Sequence, residues 1–580
     1  MKFLLTAINA KYIHSNPAIY SLRAYAGEEL RQSIELAEYT INQPVQGILA
    51  DIYCRKPDVI GFSCYIWNWR IVQELLEELP KVMPDTQIWL GGPEVSYDAD
   101  KLLEKFPCVK GIMVGEGETV FRELMAYYVC LGVAQVPTSS ITAPAHLEDV
   151  PGLCLRSGYT RPQAPADLSA IPFLYEDLTP FTNRIIYYET SRGCPFRCSY
   201  CLSSIDKTVR FRDINTVKKE LRFFLDHQVK QVKFVDRTFN CKREHAMEIW
   251  QYIYEHDNGV TNFHFEISAD ILREEEIVLL NQLRPGLAQL EIGVQTVNPE
   301  TLRAICRNMD IDRLEANVAA IRRGRNVHLH LDLIAGLPYE DYGSFGHSFD
   351  RVYRMKPEQL QLGFLKVLKG SLMHKMAEEY GIYYLDNPPY EVLYTRWLSY
   401  EDVLRLKGIE EMVELYYNSS QFTHTLPVLE TAFESPFAMF EALADFYREK
   451  GYFTNSPARA YRYQVLLEFA GWYDETREQV YRELLTYDLY LRENLKSRPD
   501  FTKDLTSYKD RIREFLRMAN RQRSLTHIEP FQYPVWDVEA VNAGEKNEED
   551  EFVLFDYTMR NPLTYEAAAE IMSLEVRNCR

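Results

Sequence analysis

The sequence predicts an α/β protein with two parallel-sheet regions in succession, followed by a mostly α-helical region. Buried strand-like runs alternate with helical stretches early in the chain, and the alternation resumes after a proline-rich stretch. The last 200 residues are rich in aromatics and show helical spacing. At 580 residues, the chain is long enough for several domains. Its net charge of −19 (65 basic against 84 acidic residues) disfavours broad binding to nucleic-acid phosphates.

The N-terminal region, residues 1–135, contains four candidates for buried strands. They are Phe3–Ile8, Asp58–Ser63, Gln87–Leu90 and Gly111–Val114. Helical stretches such as Pro17–Leu30 separate them. Strands joined through helices pair in parallel, so this pattern predicts a Rossmann-like parallel sheet with helical crossovers.

Small residues stand at the carboxyl ends of two of these strands: Ser63, Gly91 and Gly92. Ligands of open parallel sheets bind beyond the carboxyl ends of the strands. Because glycine allows a ligand to approach the backbone closely, we expect a ligand site at this edge.

A stretch rich in proline, residues 136–183, is expected to be a linker. The next region, residues 184–380, contains six strand–helix units, counted from Ile185. This number suits a partial (β/α)6 barrel of TIM type, in which the chemistry takes place at the carboxyl ends of the strands.

One loop carries three cysteines at C-x3-C-x2-C spacing, directly after the strand-like run Ile185–Tyr188: Cys194, Cys198 and Cys201. Thiolates at these offsets can converge on one side of an iron–sulfur cluster, and three of them leave one iron of a 4Fe–4S cluster open. A structural zinc site takes four ligands, usually in paired motifs, and no second pair lies nearby. Buried core cysteines are the other alternative, but the charged neighbours of these three are unlike a core stretch.

The motif resembles the signature of the radical S-adenosylmethionine (radical SAM) superfamily, in which an aromatic residue, here Tyr200, precedes the last cysteine. This resemblance implies that Cys194, Cys198 and Cys201 hold a 4Fe–4S cluster and that S-adenosylmethionine chelates the open iron. Tyr200 would then pack near the adenine. The resemblance also implies that one-electron reduction of S-adenosylmethionine gives a 5′-deoxyadenosyl radical.

The same resemblance implies contacts to S-adenosylmethionine at the ends of successive core strands. The segment at Asp236 is expected to help hold the methionyl amino group, Gln295 to contact the ribose, and Ala335 to belong to the segment that flanks the adenine. The other expected contacts are Glu266, Ser268 and Glu291. For each carboxylate, a salt bridge at the strand end is the alternative.

The N-terminal region resembles the cobalamin-binding domain that is fused to many radical SAM enzymes. In that family, a serine after one strand and a glycine pair after the next contact the cofactor, which implies that Ser63, Gly91 and Gly92 bind cobalamin. A degenerate Rossmann-like domain without a cofactor is the alternative.

One feature of cobalamin domains that supply a histidine ligand is missing. His14 lacks the aspartate and the glycine of their D-x-H-x-x-G motif, so we expect a loop histidine rather than a ligand of cobalt. Trp67 and Trp69 either line a corrin pocket or pack in the core.

The C-terminal region, residues 381–580, resembles a helical extension of uncharacterised cobalamin-type radical SAM proteins. Ser435 and Pro436 predict a helix start, with serine as the cap and proline at the first helical position. Met439, Leu443 and Phe446 then predict a buried stripe.

Together these resemblances imply a cobalamin-dependent radical SAM enzyme that methylates an unactivated carbon of an unknown small-molecule or peptide-type substrate. The alternatives are a radical rearrangement or oxidative cyclisation without methyl transfer, and a non-catalytic iron–sulfur sensor or scaffold. An electron donor such as flavodoxin or ferredoxin is expected as a partner. Of the 11 cysteines, the eight outside the motif are scattered, which suits a reducing compartment, and no apolar run is long enough to span a membrane, so we expect a cytoplasmic protein.

Overall fold

A computed structural model describes residues 1–132, 144–519 and 523–572. The chain forms two compact units. The first comprises Met1–Leu287, Leu302–Met309 and Leu365–Arg396. The second comprises Ala288–Thr301, Asp310–Phe364 and Trp397–Arg580.

The strands, in chain order, are β1 Phe3–Asn9, β2 Ile34–Thr40, β3 Val59–Ser63, β4 Gln87–Gly91, β5 Val109–Met113, β6 Leu153–Leu155, β7 Gly158–Tyr159, β8 Ile186–Tyr188, β9 Ser191–Arg192, β10 Arg210–Phe211, β11 Gln231–Phe234, β12 Asn262–Ile267, β13 Ala288–Gln295, β14 His328–Ala335, β15 Gln359–Phe364, β16 Tyr383–Tyr384, β17 Val392–Tyr394, β18 Thr526–Phe531, β19 Glu551–Arg560 and β20 Ala567–Met572.

The α-helices are α1 Pro17–Tyr25, α2 Glu28–Arg31, α3 Val45–Arg55, α4 Trp69–Val82, α5 Ala99–Lys105, α6 Gly117–Gly132, α7 Ile214–Asp226, α8 Arg243–Glu255, α9 Glu274–Leu280, α10 Pro299–Ala304, α11 Ile311–Arg322, α12 Tyr342–Arg354, α13 Leu372–Met376, α14 Tyr400–Met412, α15 Thr425–Leu429, α16 Pro436–Glu449, α17 Arg462–Tyr473, α18 Glu478–Arg492, α19 Lys509–Ala519 and α20 Val538–Asn542.

Seven strands of the first unit form one sheet in the order β2-β1-β3-β4-β5-β6-β7. Strands β1 to β5 pair in parallel. Every residue of β1 is buried, because helices pack on both faces of a parallel sheet. Ile19 of α1 and Phe121 of α6 belong to the core on one face, and Ile48 of α3 and Val72 of α4 to the core on the other.

The four strands predicted for this sheet are confirmed, and two elements differ from the prediction. The helix predicted over Pro17–Leu30 is split, because Gly27 adopts a φ of +84° between α1 and α2. Strand β2 is not predicted, because charged residues interrupt its apolar pattern, including Glu35 and Glu38.

The proline-rich stretch is partly folded into this sheet. Its first residues, 136–143, lie outside the described residues. Farther on, β6 pairs with β5 and β7 with β6, both antiparallel, and all three residues of β6 are buried. The predicted linker therefore supplies an edge hairpin to the N-terminal sheet.

The six strands predicted for the barrel region are present, and each unit contains three. In the first unit, β11 pairs in parallel with β8 and with β12. In the second unit, β14 pairs in parallel with β13 and with β15. Strand β8, which precedes the cysteines, therefore lies beside β11, which ends just before Asp236.

The C-terminal part of the second unit consists of helices α14 to α20 and a three-stranded antiparallel sheet, β18-β19-β20. The predicted helix start is confirmed: the Ser435 side chain accepts a hydrogen bond from the backbone N–H of Ala438 at the start of α16. Met439, Leu443 and Phe446 are buried, as predicted. The sequence predicts mostly helices here and does not predict the three strands.

Within the described residues, no helix combines the length and the apolar character that crossing a membrane requires.

A buried ion pair fixes the segment before the cysteines to α7. Arg212 donates to Glu220 over 2.6 Å and 3.0 Å, and both side chains are only 7% exposed. Arg212 also donates to the carbonyl oxygens of Leu168 and Ile171, and Tyr188 donates to Glu220 over 2.5 Å. One arginine thus links the end of the proline-rich stretch, β8 and α7.

We predict that Arg212→Met lowers the free energy of unfolding by about 3–5 kcal/mol, because it leaves the Glu220 carboxylate buried without its counter-charge. The matched control is Arg222→Met on α7, whose ion pair with Asp226 is exposed and contributes about 0–1 kcal/mol. Urea unfolding followed by tryptophan fluorescence measures both variants. Equal unfolding midpoints for the two variants would contradict the prediction.

Candidate functional site

The three cysteines lie on a loop that a short hairpin closes. Strand β9 pairs with β10 in an antiparallel manner, so residues 193–209 form the connection between them. Cys194 and Cys198 are buried, and Cys201 is half-buried. All three are free thiols.

Glycine is required at the first position of this loop. Gly193 adopts a φ of +99°, and a Cβ atom there would collide with the carbonyl oxygen of Thr208. Farther along, the N–H of Ser199 donates to the Ile305 carbonyl over 2.9 Å, and the Ser199 carbonyl accepts from the N–H of Met373 over 2.7 Å. These backbone contacts hold the cysteine loop in one conformation.

The three thiols influence one another electrostatically. Burial raises the pKa of Cys194; a hydrogen bond with Thr238 opposes this, and the neighbouring Cys201 and Cys198 raise the pKa further. Arg307 donates to the Cys198 Sγ over 3.5 Å and to the Tyr200 hydroxyl over 3.4 Å. The half-buried Arg307 guanidinium thus places a positive charge beside the cysteine loop.

This donor set fits an iron–sulfur cluster, because it offers three thiols on one loop beside a cationic donor. Within the described ranges, no group of three or more His, Cys, Asp or Glu side chains is arranged to hold a single metal ion. In a mononuclear site, the ligand sulfurs lie about 4 Å apart. A 4Fe–4S cluster binds each thiolate to a different iron, so its sulfurs are spaced more widely.

Asp236, at the end of β11, is fully buried and supports the start of the cysteine segment. Its carboxylate accepts from the Thr190 N–H over 3.0 Å, from the Thr190 hydroxyl over 2.7 Å and from the Ser191 hydroxyl over 2.5 Å. Burial raises the pKa of Asp236 to about 6 despite these hydrogen bonds. Its side chain is therefore committed to Thr190 and Ser191, and its expected role toward the methionyl amino group stays a prediction for the backbone of this segment.

A large cavity joins residues from two parts of the first unit. Its volume is about 980 Å³, at the upper end of the range of ligand-binding sites. Ser63, Gly91 and Gly92 line it from the N-terminal sheet, and Tyr200 and Cys201 line it from the cysteine loop. The structure thus brings the expected cobalamin contacts and part of the expected cluster site to one cavity.

Two glycines on the wall of this cavity adopt backbone conformations with positive φ. Gly92 adopts a φ of +113°, and a Cβ atom there would lie 2.5 Å from the Cys64 carbonyl oxygen. Gly115, with a φ of +88°, faces open space: a Cβ atom there would meet no heavy atom within 4 Å. Packing against the Cys64 backbone thus requires glycine at position 92, whereas the bare backbone at Gly115 allows close approach of a bulky, flat ligand.

The two tryptophans have different roles. Trp67 lines the cavity and stacks on Tyr65, with ring centroids 4.3 Å apart. Trp69 is buried in the core between the sheet and α4. His14 lines a second cavity of about 300 Å³, which shares Tyr65 and Trp67 with the large one, and its Nδ1 lies 2.6 Å from the Tyr187 hydroxyl. The expectation of a loop histidine agrees with this placement.

Ion pairs join the cysteine hairpin to the turn between β5 and α6. Arg192 pairs with Glu118 over 2.8 Å and with Glu189 over 2.8 Å. Arg210 pairs with Glu116 on the same turn. The sequence contains these charges but gives no sign of their pairing, because the partners lie 74 and 94 positions apart.

The other expected contacts to S-adenosylmethionine lie on both units. In the first, Ser268 follows β12, and its hydroxyl donates to Asp270 over 2.6 Å. Glu266 is half-buried on β12. The hydrogen bond to Asp270 orients the Ser268 hydroxyl, and the contact of Ser268 with S-adenosylmethionine stays a prediction.

In the second unit, Gln295 ends β13 with a φ of +72°. Its Oε1 is buried and, among the described residues, has no hydrogen-bond partner, which fits a ligand contact. Glu291 is half-buried on β13, and Ala335 is buried at the end of β14. Their roles stay predictions.

Three family profiles match consecutive parts of the chain. The B12 binding domain matches residues 4–125, the Radical SAM superfamily matches residues 188–352, and the protein of unknown function DUF4080 matches residues 378–555.

Among curated proteins, the chain is similar to the cobalamin-dependent radical SAM methyltransferase TokK of Streptomyces tokunonensis. The two are 24% identical over 396 residues, which cover 62% of this chain and 55% of TokK. The chain spans about half the length of the curated relatives it matches, 55% and 49% for two of them.

Two solved structures have a similar fold. The radical S-adenosylmethionine methyltransferase TsrM from Kitasatospora setae, with cobalamin and a [4Fe-4S] cluster bound, aligns with a TM-score of 0.53 and 17% identity over 67% of this chain and 79% of that one. The cobalamin-dependent S-adenosylmethionine radical enzyme OxsB aligns with a TM-score of 0.57 and 14% identity over 93% of this chain and 77% of that one.

The profile matches follow the order of the structural regions: B12 binding over the N-terminal sheet, and radical SAM over the cysteine loop and the barrel strands. The chain therefore contains a radical SAM domain, preceded by a B12-binding domain and followed by a DUF4080 region.

Proposed function

We propose that this protein is a cobalamin-dependent radical SAM methyltransferase that acts on an unactivated carbon. Cys194, Cys198 and Cys201 would hold a 4Fe–4S cluster whose open iron takes S-adenosylmethionine. Ser63, Gly91 and Gly92 would contact cobalamin. Residues 1–135 would form the cobalamin-binding domain, 184–380 the radical SAM core and 381–580 the C-terminal domain. Residues 136–183 would be a linker that also adds the edge hairpin β6–β7 to the N-terminal sheet.

The observation that carries this proposal is the cavity of about 980 Å³. It is lined by Ser63 and the glycine pair of the N-terminal sheet and by Tyr200 and Cys201 of the cysteine loop. In a methyl transfer that uses both cofactors, both must face the same substrate. A single cavity lined by both regions allows this arrangement. Two separate cavities would favour a sensor or a scaffold.

When bound, the cluster and S-adenosylmethionine supply a radical at the substrate carbon, and cobalamin supplies the methyl group. The residues of this chain position these groups and exclude water. Gly193 and the backbone contacts of Ser199 fix the cysteine loop. Arg307 donates to the Cys198 sulfur and so orients this ligand. Asp236 fixes Thr190 and Ser191 ahead of the loop.

The proposal specifies the substrate and the electron donor only by chemical class. The donor is a one-electron reductant such as flavodoxin or ferredoxin, and the substrate is a small molecule or a peptide. We expect the protein to act in the cytoplasm, where reduced thiols persist.

We predict that replacing Cys194, Cys198 and Cys201 together with alanine abolishes the brown chromophore and the formation of 5′-deoxyadenosine, because no thiolate then holds the cluster. The measurements are iron content, the absorption spectrum and 5′-deoxyadenosine release after anaerobic reconstitution with dithionite. Cys306→Ala is the matched control, since Cys306 is exposed and lies outside the motif.

An intact cluster spectrum in the triple variant would refute the assignment of the ligands. Redox cycling of the wild type without any 5′-deoxyadenosine would favour a sensor. Formation of 5′-deoxyadenosine without transfer of a labelled methyl group would favour a radical rearrangement or cyclisation.

We predict that Ala18→Phe weakens cobalamin binding by roughly tenfold or more, because a bulky side chain on the wall of a filled site forces strain of about 1–3 kcal/mol. Ala18 lies on α1 and lines the large cavity. The control is Ala24→Phe on the same helix, where the residue lines a different cavity. Equilibrium dialysis with hydroxocobalamin measures the affinity, and iron content shows whether the cluster persists. Equal affinities in the two variants would contradict this assignment of the cavity.

A further inference from the structure

The wall of the large cavity carries seven charged side chains. Four are carboxylates and three are cations, and they are Glu94, Glu116, Glu118, Asp206, Arg192, Arg237 and Lys369. A buried charge requires a counter-charge or a strong hydrogen bond, whereas an accessible charge on the wall that lacks a protein partner can bind a ligand. The partners of these side chains therefore show which charge has no counter-charge in the protein and is available to a ligand.

Every carboxylate of this wall has a partner in the protein. Glu94 accepts from the Tyr390 hydroxyl. Glu118 pairs with Arg192 over 2.8 Å. The two other carboxylates, Glu116 and Asp206, both pair with Arg210.

Two of the three cations are also satisfied. Arg192 pairs with both Glu118 and Glu189, and Lys369 pairs with Asp98 over 2.9 Å. Arg237 differs: its backbone carbonyl accepts from the Thr238 hydroxyl, but its exposed side chain forms neither an ion pair nor a hydrogen bond among the described residues. It is therefore the cation of this wall whose counter-charge is not supplied by the described protein.

Arg237 directly follows Asp236 at the carboxyl end of β11. Its positive charge acts on Tyr65: burial raises the pKa of Tyr65, and the charge of Arg237 opposes that increase. Tyr65 lines the cavity and stacks on Trp67. The guanidinium thus faces the cavity beside an aromatic wall.

We propose that Arg237 binds an anionic group of the substrate, a carboxylate or a phosphate, and so determines substrate specificity. This inference rests on the proposed function. A guanidinium binds either anion through two parallel hydrogen bonds and holds its orientation, which places the reacting carbon at a fixed distance from the charged end. Arg237 follows a barrel strand, whereas Ser63, Gly91 and Gly92 belong to the N-terminal sheet, so substrate is favoured over cobalamin as its ligand.

The first experiment uses holoenzyme loaded with cluster, cobalamin and S-adenosylmethionine. Inorganic phosphate and acetate are titrated by calorimetry in chloride-free buffer. We expect the wild type to bind one of these anions and Arg237→Gln to bind it roughly tenfold more weakly or worse, as loss of a charge-assisted hydrogen bond implies. Arg237→Lys should recover part of the affinity. The anion that binds distinguishes a phosphate from a carboxylate.

The matched control is Lys219→Gln, which removes one exposed positive charge on α7. It should leave anion binding unchanged. Equal anion affinity in the wild type and Arg237→Gln overturns the inference. So does a loss of cobalamin or S-adenosylmethionine affinity in Arg237→Gln by equilibrium dialysis, because Arg237 would then bind a cofactor.

The second experiment separates this inference from the proposed function. A metabolite extract is fractionated by anion-exchange chromatography at neutral pH. Each fraction is then incubated with holoenzyme and methyl-labelled S-adenosylmethionine. We expect labelled product from the retained, anionic fractions only, and roughly tenfold less product with Arg237→Gln. Product from the unretained fraction overturns the role of Arg237 and leaves methyl transfer standing. Absence of both product and 5′-deoxyadenosine in every fraction refutes the proposed function, and the calorimetry still decides whether Arg237 binds an anion.

Discussion

The ion pairs of Arg192 are the constraint on which the candidate site depends. This residue stands directly before Gly193 and the first cysteine, and it pairs with Glu118 at the start of α6 and with Glu189. Arg192 is 23% exposed and Glu118 is 7% exposed, so solvent screens this pair less than a surface pair. Arg210 and Glu116 add a second connection between the same elements. Through these contacts, the cysteine loop and the B12-binding sheet line one cavity.

A second layer of contacts keeps the loop itself in place. The buried carboxylate of Asp236 accepts three hydrogen bonds from Thr190 and Ser191, and His245 lies 3.1 Å from the Thr190 hydroxyl. Burial lowers the pKa of His245 to about 4, so this ring is neutral at physiological pH. The arginines Arg192, Arg210 and Arg307 supply positive charge beside the loop. Positive charge near the thiols suits a cluster that carries net negative charge.

The C-terminal region has a polar centre of its own. The Asp488 carboxylate, buried in α18, accepts from the backbone N–H groups of His424 and Thr425 and from the side chains of both residues. Such a satisfied buried carboxylate fixes the start of α15 against α18, because an unpaired one would be costly. This role is structural, and the match to DUF4080 assigns no chemistry to the region.

Local patterns in the sequence determined much of this protein. Apolar runs gave the four predicted strands of the N-terminal sheet and the six strands of the barrel region, and the spacing of Cys194, Cys198 and Cys201 indicated the cluster site. The serine cap of α16 was equally visible, because a cap depends on neighbouring residues alone. Strand β2 and the strands β18 to β20 were missed, because pairing partners far along the chain stabilise them and their own patterns are mixed.

Only the tertiary structure decided which charges are paired and which residues share a cavity. Glu118 and Arg192 lie 74 positions apart, and no local pattern indicates that they meet. The same holds for Asp236, which the sequence placed near the cofactor and which the structure shows to support Thr190 and Ser191. Arg237 was inconspicuous in the sequence, because an unpaired charge becomes apparent only when every neighbouring charge has been matched with its partner. Periodicity and spacing act over a few residues, whereas pairing and burial depend on the folded chain as a whole.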